Sequence, residues 1–404
     1  MMRQTRRQLL ATIAMAAALG FSPAFAADPI KIGVSGPFTG GSSSMGVSMR
    51  DGVKLAADEI NKAGGVMGRQ IQLIERDDEA RNELGVQIAQ ELINKEKVVA
   101  TVGFINTGVA LASQRFYQEA EVPVINNVAT GTAITGQFAK DRSNYIFRTS
   151  AADAIQAPMI VDEAITRRGL KKPAILADST NYGQLGRQDL EKALAAKGVK
   201  PVTEEKFNIG DTDMTSQLLR AKEAGADVIL TYGIGPELAQ IANGMAKLGW
   251  KVPIVGSWTL SMASFIDTAG ANGNGAVMPQ TFIQLPNTAK RAAFIKAYQD
   301  AYKIDRMPSP VSAAQGYDSV YLLAAAIKQA DSTDGRKIRA ALEDLKTKVD
   351  GVVTVYDHPF SKTDHEAITS NIPVFGEVKD GRVAPAHAED TQGDKAVRAK
   401  PSNG

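Results

Sequence analysis

Val98-Val99-Ala100-Thr101-Val102-Gly103-Phe104-Ile105-Asn106-Thr107-Gly108 is the stretch on which the reading of the fold turns. It reads as a short apolar strand that stops at Gly103, passes a turn and gives way to a helix near Gly108. Along that helix Val109, Ala112, Phe116 and Tyr117 recur on one face. Asn106 or Thr107 is the expected N-cap, because either side chain can accept a bond from the first free backbone N–H groups. A helix that starts at the carboxyl end of a parallel strand gathers uncommitted N–H donors and a positive dipole end over one spot. Ligands of open α/β sheets sit at such spots, so this corner suits an anion such as a carboxylate. The same signature also describes an ordinary βα turn, and one corner alone does not separate the two.

Working outward, the chain alternates strand and helix. Ile30, Ile32 and Val34 mark a first strand, which runs into the Gly/Ser loop from Gly36 to Gly46. A helix follows with Val53, Ala56, Ala57 and Ile60 on one face, ended by Gly64-Gly65. A strand through Ile71 and Leu73 ends at Arg76-Asp77-Asp78, and Leu84, Ile88 and Leu92 share the next helix face. Pro123-Val124-Ile125 is another short strand, ending at Asn126-Asn127-Val128-Ala129-Thr130-Gly131. The pattern then restarts at Lys172 to Ala177, where Asn181-Tyr182-Gly183 repeats the punctuation of Asn106-Thr107-Gly108 as a second lobe would. Val228 to Tyr232 and Val252 to Val255 are further strands, the first turning through Gly233-Ile234-Gly235 into a helix with Pro236 at its first position. Ser312 to Lys328 is a long alanine-rich helix. Val352 to Val355 and Ile372 to Phe375 read as late edge strands, with a hairpin turn at Lys379-Asp380-Gly381. This alternation means βαβ units and mostly parallel sheets.

A length of 404 residues suits two or three lobes, each with its own core, and 44% hydrophobic with 22% charged residues is ordinary for a globular protein. Arg3, Arg6 and Arg7 precede an apolar run from Leu9 to Gly20, and Ala24-Phe25-Ala26 is a small-x-small cleavage site. Residues 1–26 therefore read as a signal peptide with maturation at Ala27, exported by the general or, from Arg6-Arg7, the twin-arginine route. Losing the three arginines turns the formal charge of +2 to −1, which points to neither nucleic acid nor a membrane surface. With no cysteine, disulfides, thiolate metal sites, thiol catalysis and a lipid anchor at the cleavage site are excluded. A free periplasmic protein is the expectation.

Catalytic and cofactor patterns fail on spacing. Gly41 to Gly46 misses the nucleophile-elbow spacing by one residue and lacks a P-loop lysine, and Gly270 to Gly275 has the wrong glycine spacing for a dinucleotide site. Asp357-His358 and Asp364-His365 lie in a late polar loop outside the βα corners, and Asp77-Asp78-Glu79 suits a capped turn better than an acid/base pair. No enzyme, metal or cofactor is expected.

Several segments together resemble the type I periplasmic solute-binding proteins, in the leucine/isoleucine/valine-binding branch that delivers ligands to ABC importers. They are Lys31 to Gly40, Asp58 to Arg69, Asn126 to Thr130, Tyr145 to Thr149 and Asp178 to Gly183. The resemblance spans about Ile30 to Gly381. It implies two Rossmann-like lobes joined by a three-segment hinge, with crossings near Arg148, Pro279 and Val353. The first lobe would be 27–147 with 280–353 and the second 148–279 with 354–385, leaving 386–404 as a disordered tail.

It also implies a small carboxylate or amino acid in the interlobe cleft, a membrane permease as partner, and a monomer. A ligand-sensing subunit of a signalling receptor would share the fold. Thr107 and Gly108 align with the family's first carboxylate anchor, Val128-Ala129-Thr130 with its second, and Tyr182 with the tyrosine that closes over the ligand. Ser44 or Met45 takes the place of an aromatic residue in the Ser/Gly loop, and Ile234 belongs to the second-lobe turn. Trp258 stands where amino-acid binders keep the acid that pairs with the ligand ammonium. An indole wall without that acid suits a carboxylate lacking an ammonium, unless Glu237 or Asp78 reaches in.

Overall fold

The computed structural model describes residues 28–391 and 397–401, so the expected signal peptide lies outside the described residues. In chain order β1 (Ile30–Gly36), β2 (Ile71–Asp77), β3 (Ala100–Gly103), β4 (Val124–Asn126) and β5 (Ile146–Arg148) alternate with four helices. These are α1 (Ser43–Lys62), α2 (Asn82–Glu91), α3 (Thr107–Glu119) and the short α4 (Ala133–Gly136). The second run has β6 (Pro173–Asp178), β7 (Thr203–Phe207), β8 (Val228–Tyr232), β9 (Ile254–Gly256) and β10 (Val277–Gln280). Its helices are α5 (Asp153–Val161), α6 (Asn181–Ala196), α7 (Thr215–Glu223), α8 (Glu237–Lys247) and α9 (Ala263–Ala269). Then come α10 (Ala289–Tyr302), α11 (Pro310–Ala330), α12 (Gly335–Glu343), β11 (Val349–Asp350), β12 (Val355–Tyr356), β13 (Val374–Lys379) and β14 (Arg382–Pro385).

Among the described residues the first sheet is all parallel, in the order β2-β1-β3-β4-β5. The second runs β14-β13-β10-β9-β8-β6-β7, parallel from β7 to β10 with β13 and β14 antiparallel at its end. Both parallel parts share one winding order, so the chain is an α/β protein of two lobes. Each lobe has a switch point, between β1 and β3 in one and between β6 and β8 in the other, where successive connections leave in opposite directions and open a crevice. β3 and β8 are buried along their whole length, as strands covered by helices on both faces must be.

α11 is buried over most of its length and crosses α1 closely. Gly52 and Gly316 allow this approach. A Cβ on Gly316 would sit 2.6 Å from the Met49 carbonyl oxygen, and one on Gly52 would run into the carbonyl of Ala313.

Several local expectations shift. Val352 and Val353 are not in a strand: their N–H groups go to the Asp318 carboxylate at 2.8 and 2.9 Å, and their carbonyls accept from Arg291. Pairing is confined to the flanking β11 and β12. Pro236 caps α8 from just outside its first turn. β7 escapes the apolar pattern because Thr-Glu-Glu-Lys-Phe is an edge strand with charged residues facing water. α10 and α12 are further helices: alanines and charges blur the apolar stripe of α10, whereas α12 buries Ile338, Ala341 and Leu342 along one face.

The third crossing falls later than Val353. Arg148 N donates to His365 O and Ala367 N to Arg148 O, both at 2.9 Å, so 365–367 still borders β5 and the second sheet is reached only at Val374. At the carboxyl end Ala388–Thr391 forms one turn, and Lys400 donates to Asp364 at 2.6 Å and to the Glu366 carbonyl at 2.7 Å.

Candidate functional site

At the first switch point α3 begins at Thr107, with Asn106 as N-cap through its backbone conformation alone. The Asn106 side chain instead donates to Ser42 in the loop after β1, at 3.3 Å. Thr107 is 1% exposed, and its Oγ1 accepts from Gly131 N at 3.2 Å. Its own hydroxyl proton is therefore left to donate. Gly108 lies between two asparagines, one from each lobe. A Cβ there would sit 2.7 Å from Asn181 Oδ1 and 2.8 Å from Asn82 Oδ1.

The next corner, Val128-Ala129-Thr130, is buried and tied by its carbonyls. Ala129 O accepts from Ser150, Thr130 O from Asp153 N and Arg148 Nη1, and Gly131 O from Arg148 Nη1, all between 2.7 and 2.9 Å. Arg148 is held in turn by the Glu366 carboxylate. With the carbonyls fixed, the Thr130 hydroxyl is buried beside the Asp153 carboxyl.

At the second switch point Thr180 caps α6 through Gly183 N, and Tyr182 in the first turn tilts over Tyr232 with ring centroids 5.3 Å apart. The Tyr182 hydroxyl is buried beside the Ser257 and Thr259 side chains. Burial and the nearby Asp153 push it well above the usual tyrosine range, so it stays a neutral donor. Trp258 follows β9, and glutamines from two crossing segments grip its backbone. Gln156 accepts from its N–H, and Gln280 donates to its carbonyl, each at 3.2 Å. The indole Nε1, on a side chain 5% exposed, has no partner.

These residues divide between two cavities. A cleft of about 270 Å³ is walled by Thr107, Gly108, Asn82, Thr180, Asn181 and Tyr182. An inner cavity of about 10 Å³, room for roughly one water, is walled by Thr130, Gln156, Trp258, Gln280, Thr281 and Gln315 among others. Ser44, Val128, Ala129 and Ile234 wall neither. Ser44 is half-buried in α1, Ile234 is buried near the Gly41–Pro236 contact, and Val128 and Ala129 back the corner from within the core. Across the cleft Thr132 Oγ1 donates to Asp189 at 2.7 Å.

Glu237 and Asp78 are committed elsewhere. Glu237 accepts from Gly210 N at 2.6 Å, and Asp78 from Ser35 and Ala80 N at 3.1 and 3.0 Å. Sequence reasoning missed a different acid, Asp153. It is fully buried, bonded by its N–H to Thr130 O, and accepts from the Tyr232 hydroxyl at 3.3 Å on Oδ1, while Oδ2 has no bonding partner. Burial pushes its carboxyl up to about 7, against the pull of the neighbouring Thr130 hydroxyl and of Arg148. Thr130 walls one cavity and Tyr182 the other, and Asp153 neighbours both. The available signal was an acid near the start of the mostly apolar run Ala151 to Val161, which also holds Gln156.

The histidines are spread over separate partners. His358 meets Asp357, His365 stacks on Phe147 and meets Glu343, and His387 meets Glu163. Among the described residues no group of three or more His, Cys, Asp or Glu converges as a metal site would.

Residues 29–382 match the periplasmic binding protein family model. A Leu/Ile/Val-binding protein homolog 3 of Brucella melitensis is 30% identical over 341 residues, which cover 84% of this chain and 89% of that one. The structure of the branched-chain amino acid transporter substrate binding protein LivJ from Streptococcus pneumoniae, in complex with isoleucine, is 27% identical with a TM-score of 0.76. That match covers 88% of this chain and 97% of the other. A solute binding protein of an ABC transporter from Rhodopseudomonas palustris, in complex with 3,4-dihydroxy benzoic acid, is 25% identical with a TM-score of 0.75. It covers 88% and 95% of the two chains.

Proposed function

The chain belongs to the periplasmic binding protein family, and from that premise we propose that it is the substrate-binding receptor of an ABC importer. It captures a small carboxylate between its lobes and hands it to a membrane permease. One observation carries this reading: Trp258 from one lobe and Gln315 from the other bury side-chain polar atoms with no partner in the wall of a shared cavity that Thr130 also lines. Each such atom left unpaired costs about 1–3 kcal/mol, so a polar ligand held between the lobes is what completes the site. Thr107 and the Gly108 N–H take the carboxylate at the positive end of α3, Thr130 completes the anchor, Tyr182 closes over it and Trp258 forms a wall.

The ligand is an α-amino acid. Trp258 removes the acid expected after β9, but Asp153 places a buried carboxyl directly behind Thr130, a negative charge that would attract an ammonium held at that corner. The Leu/Ile/Val-binding relative and the isoleucine complex favour the same class, while the dihydroxybenzoate complex keeps an acid without ammonium as the competing outcome. The protein acts as a monomer in the periplasm, freed by cleavage near Ala27.

Mass spectrometry of small molecules released from protein purified from periplasm tests this, followed by a thermal-shift panel of amino acids and matched keto and aromatic acids. A ligand held at a hundred times its Kd adds about 2.7 kcal/mol of stability. A rise in Tm with an amino acid and none with the keto acid is expected. The reverse result removes the role given to Asp153.

A further inference from the structure

Resting on the receptor reading, we propose that the ligand carries a hydroxyl beyond its carboxylate, received between Trp258 and Gln315 in the inner cavity. The carboxylate anchor Thr107–Gly108 lines the larger cleft and Thr130 lines the inner cavity, and the two corners are tied by the Gly131 N–H on Thr107 Oγ1. Besides Thr130, two side chains from different lobes share that wall and carry unused hydrogen-bonding atoms. Trp258 offers Nε1–H, which can only donate. Gln315 on α11 is 2% exposed and spends its Nε2 on Thr281 Oγ1 at 2.9 Å, leaving Oε1 without a partner. Turning that amide over would exchange a free acceptor for a free donor, and one polar atom would remain unmatched either way.

Both residues are held at their backbones. Gln156 and Gln280 clamp the Trp258 backbone, and the Gln315 carbonyl accepts from Ser319, which also meets Thr149. The Gln315 side chain is tethered by Thr281, and both side chains are buried. Of the rest of the wall, Gln156, Gln280 and Thr281 are already bonded, Thr130 belongs to the carboxylate anchor, and Ala151, Pro279, Val311 and Pro373 offer no side-chain hydrogen bond. A hydroxyl both donates and accepts, so one such group satisfies the indole N–H and the amide together, and a cavity of about 10 Å³ has room for little else. A plain methyl in the same place would leave both atoms buried and unpaired.

Threonine and valine differ by one hydroxyl for methyl and so form the direct test, with tyrosine against phenylalanine and 4-hydroxybenzoate against benzoate as longer pairs. Titration calorimetry on the full-length mature protein should show, in the pair whose length fits, the hydroxylated member binding roughly 10- to 100-fold tighter. Gln315→Leu and Trp258→Phe should each bring that ratio toward one. If plain members bind and their hydroxylated mates gain nothing, the inner cavity holds an ordered water instead and the inference falls while the receptor reading stands. If no carboxylate of either kind binds, the receptor reading falls with it. The wild-type ratio decides the matter even where a variant fails to fold.

Discussion

Thr107 does two things with one hydroxyl: it accepts from Gly131 N, which fixes the neighbouring corner, and it keeps a proton to donate. Hydrogen bonds to a charged group contribute about 1.5–3 kcal/mol. Thr107→Ala should therefore weaken ligand binding roughly 10- to 100-fold, read by calorimetry, while circular dichroism shows the fold retained. Equal affinities would take Thr107 out of the site. Asp153 gives a prediction with a sign. Its carboxyl is raised to about 7, so the folded state holds that proton more tightly than the unfolded chain does. The stability this brings is present at low pH and is lost as pH rises through 7. Asp153→Asn should accordingly stabilise the ligand-free protein at pH 8, and the advantage should shrink as pH falls toward 4, by up to about 1.4 kcal/mol per unit. Denaturant melts at a series of pH values measure it. Binding should move the other way, an amino acid gaining affinity from pH 6 to 8 as Asp153 ionises. A loss over that range would indicate a ligand without an ammonium. Thr107, Gly108 and Tyr182 were legible because they stand where a strand hands over to a helix. Asp153, Gln156, Gln280 and Gln315 were not, because each matters only through residues brought near it by the crossing of distant segments.

Elements divide along a similar line. Strands buried on both faces announced themselves as apolar runs, and α3, α6 and α8 by the turn residues before them. β7 did not, since an edge strand can be charged, and Val352–Val353 misled because apolar character there serves burial without sheet pairing. The contact between α1 and α11 was also out of reach, although its glycines were in plain view, because the partner of each lies more than two hundred residues away. That contact should be intolerant of a single methyl. Gly52→Ala would drive a Cβ into the Ala313 carbonyl, and overpacking of this kind costs about 1–3 kcal/mol even after helix propensity favours alanine. Thermal melts of the variant should show a lower Tm. An unchanged Tm would mean that α11 slides freely on α1.

Over the whole molecule, two sheets of one winding order face each other at their switch points, and the chain passes between them beyond Arg148, beyond Gln280 and between Ala367 and Val374. Lobes joined only by such crossings can rotate about them as a hinge. The contacts that meet across the cleft are small and polar: Thr132 with Asp189, Gly108 with Asn181, Gly41 with Gly235 and Pro236. A continuous apolar cluster that includes Val128, Val311, Tyr182 and Trp258 also spans the two lobes, so ligand contacts add to that burial in setting the balance between open and closed.

The Thr132–Asp189 contact, in a chain without a single cysteine, makes the molecule its own gauge. A thiol placed by Thr132→Cys would be the sole attachment point for a polarity-sensitive dye, lodged against the opposite lobe when the jaws are shut and bathed in water when they part. Its emission should follow ligand concentration along the same curve as calorimetric saturation. A signal flat through saturation would mean that the lobes do not part to admit their cargo. A working signal would turn a scavenger of scarce nutrients into a reagentless sensor that reports concentration as colour.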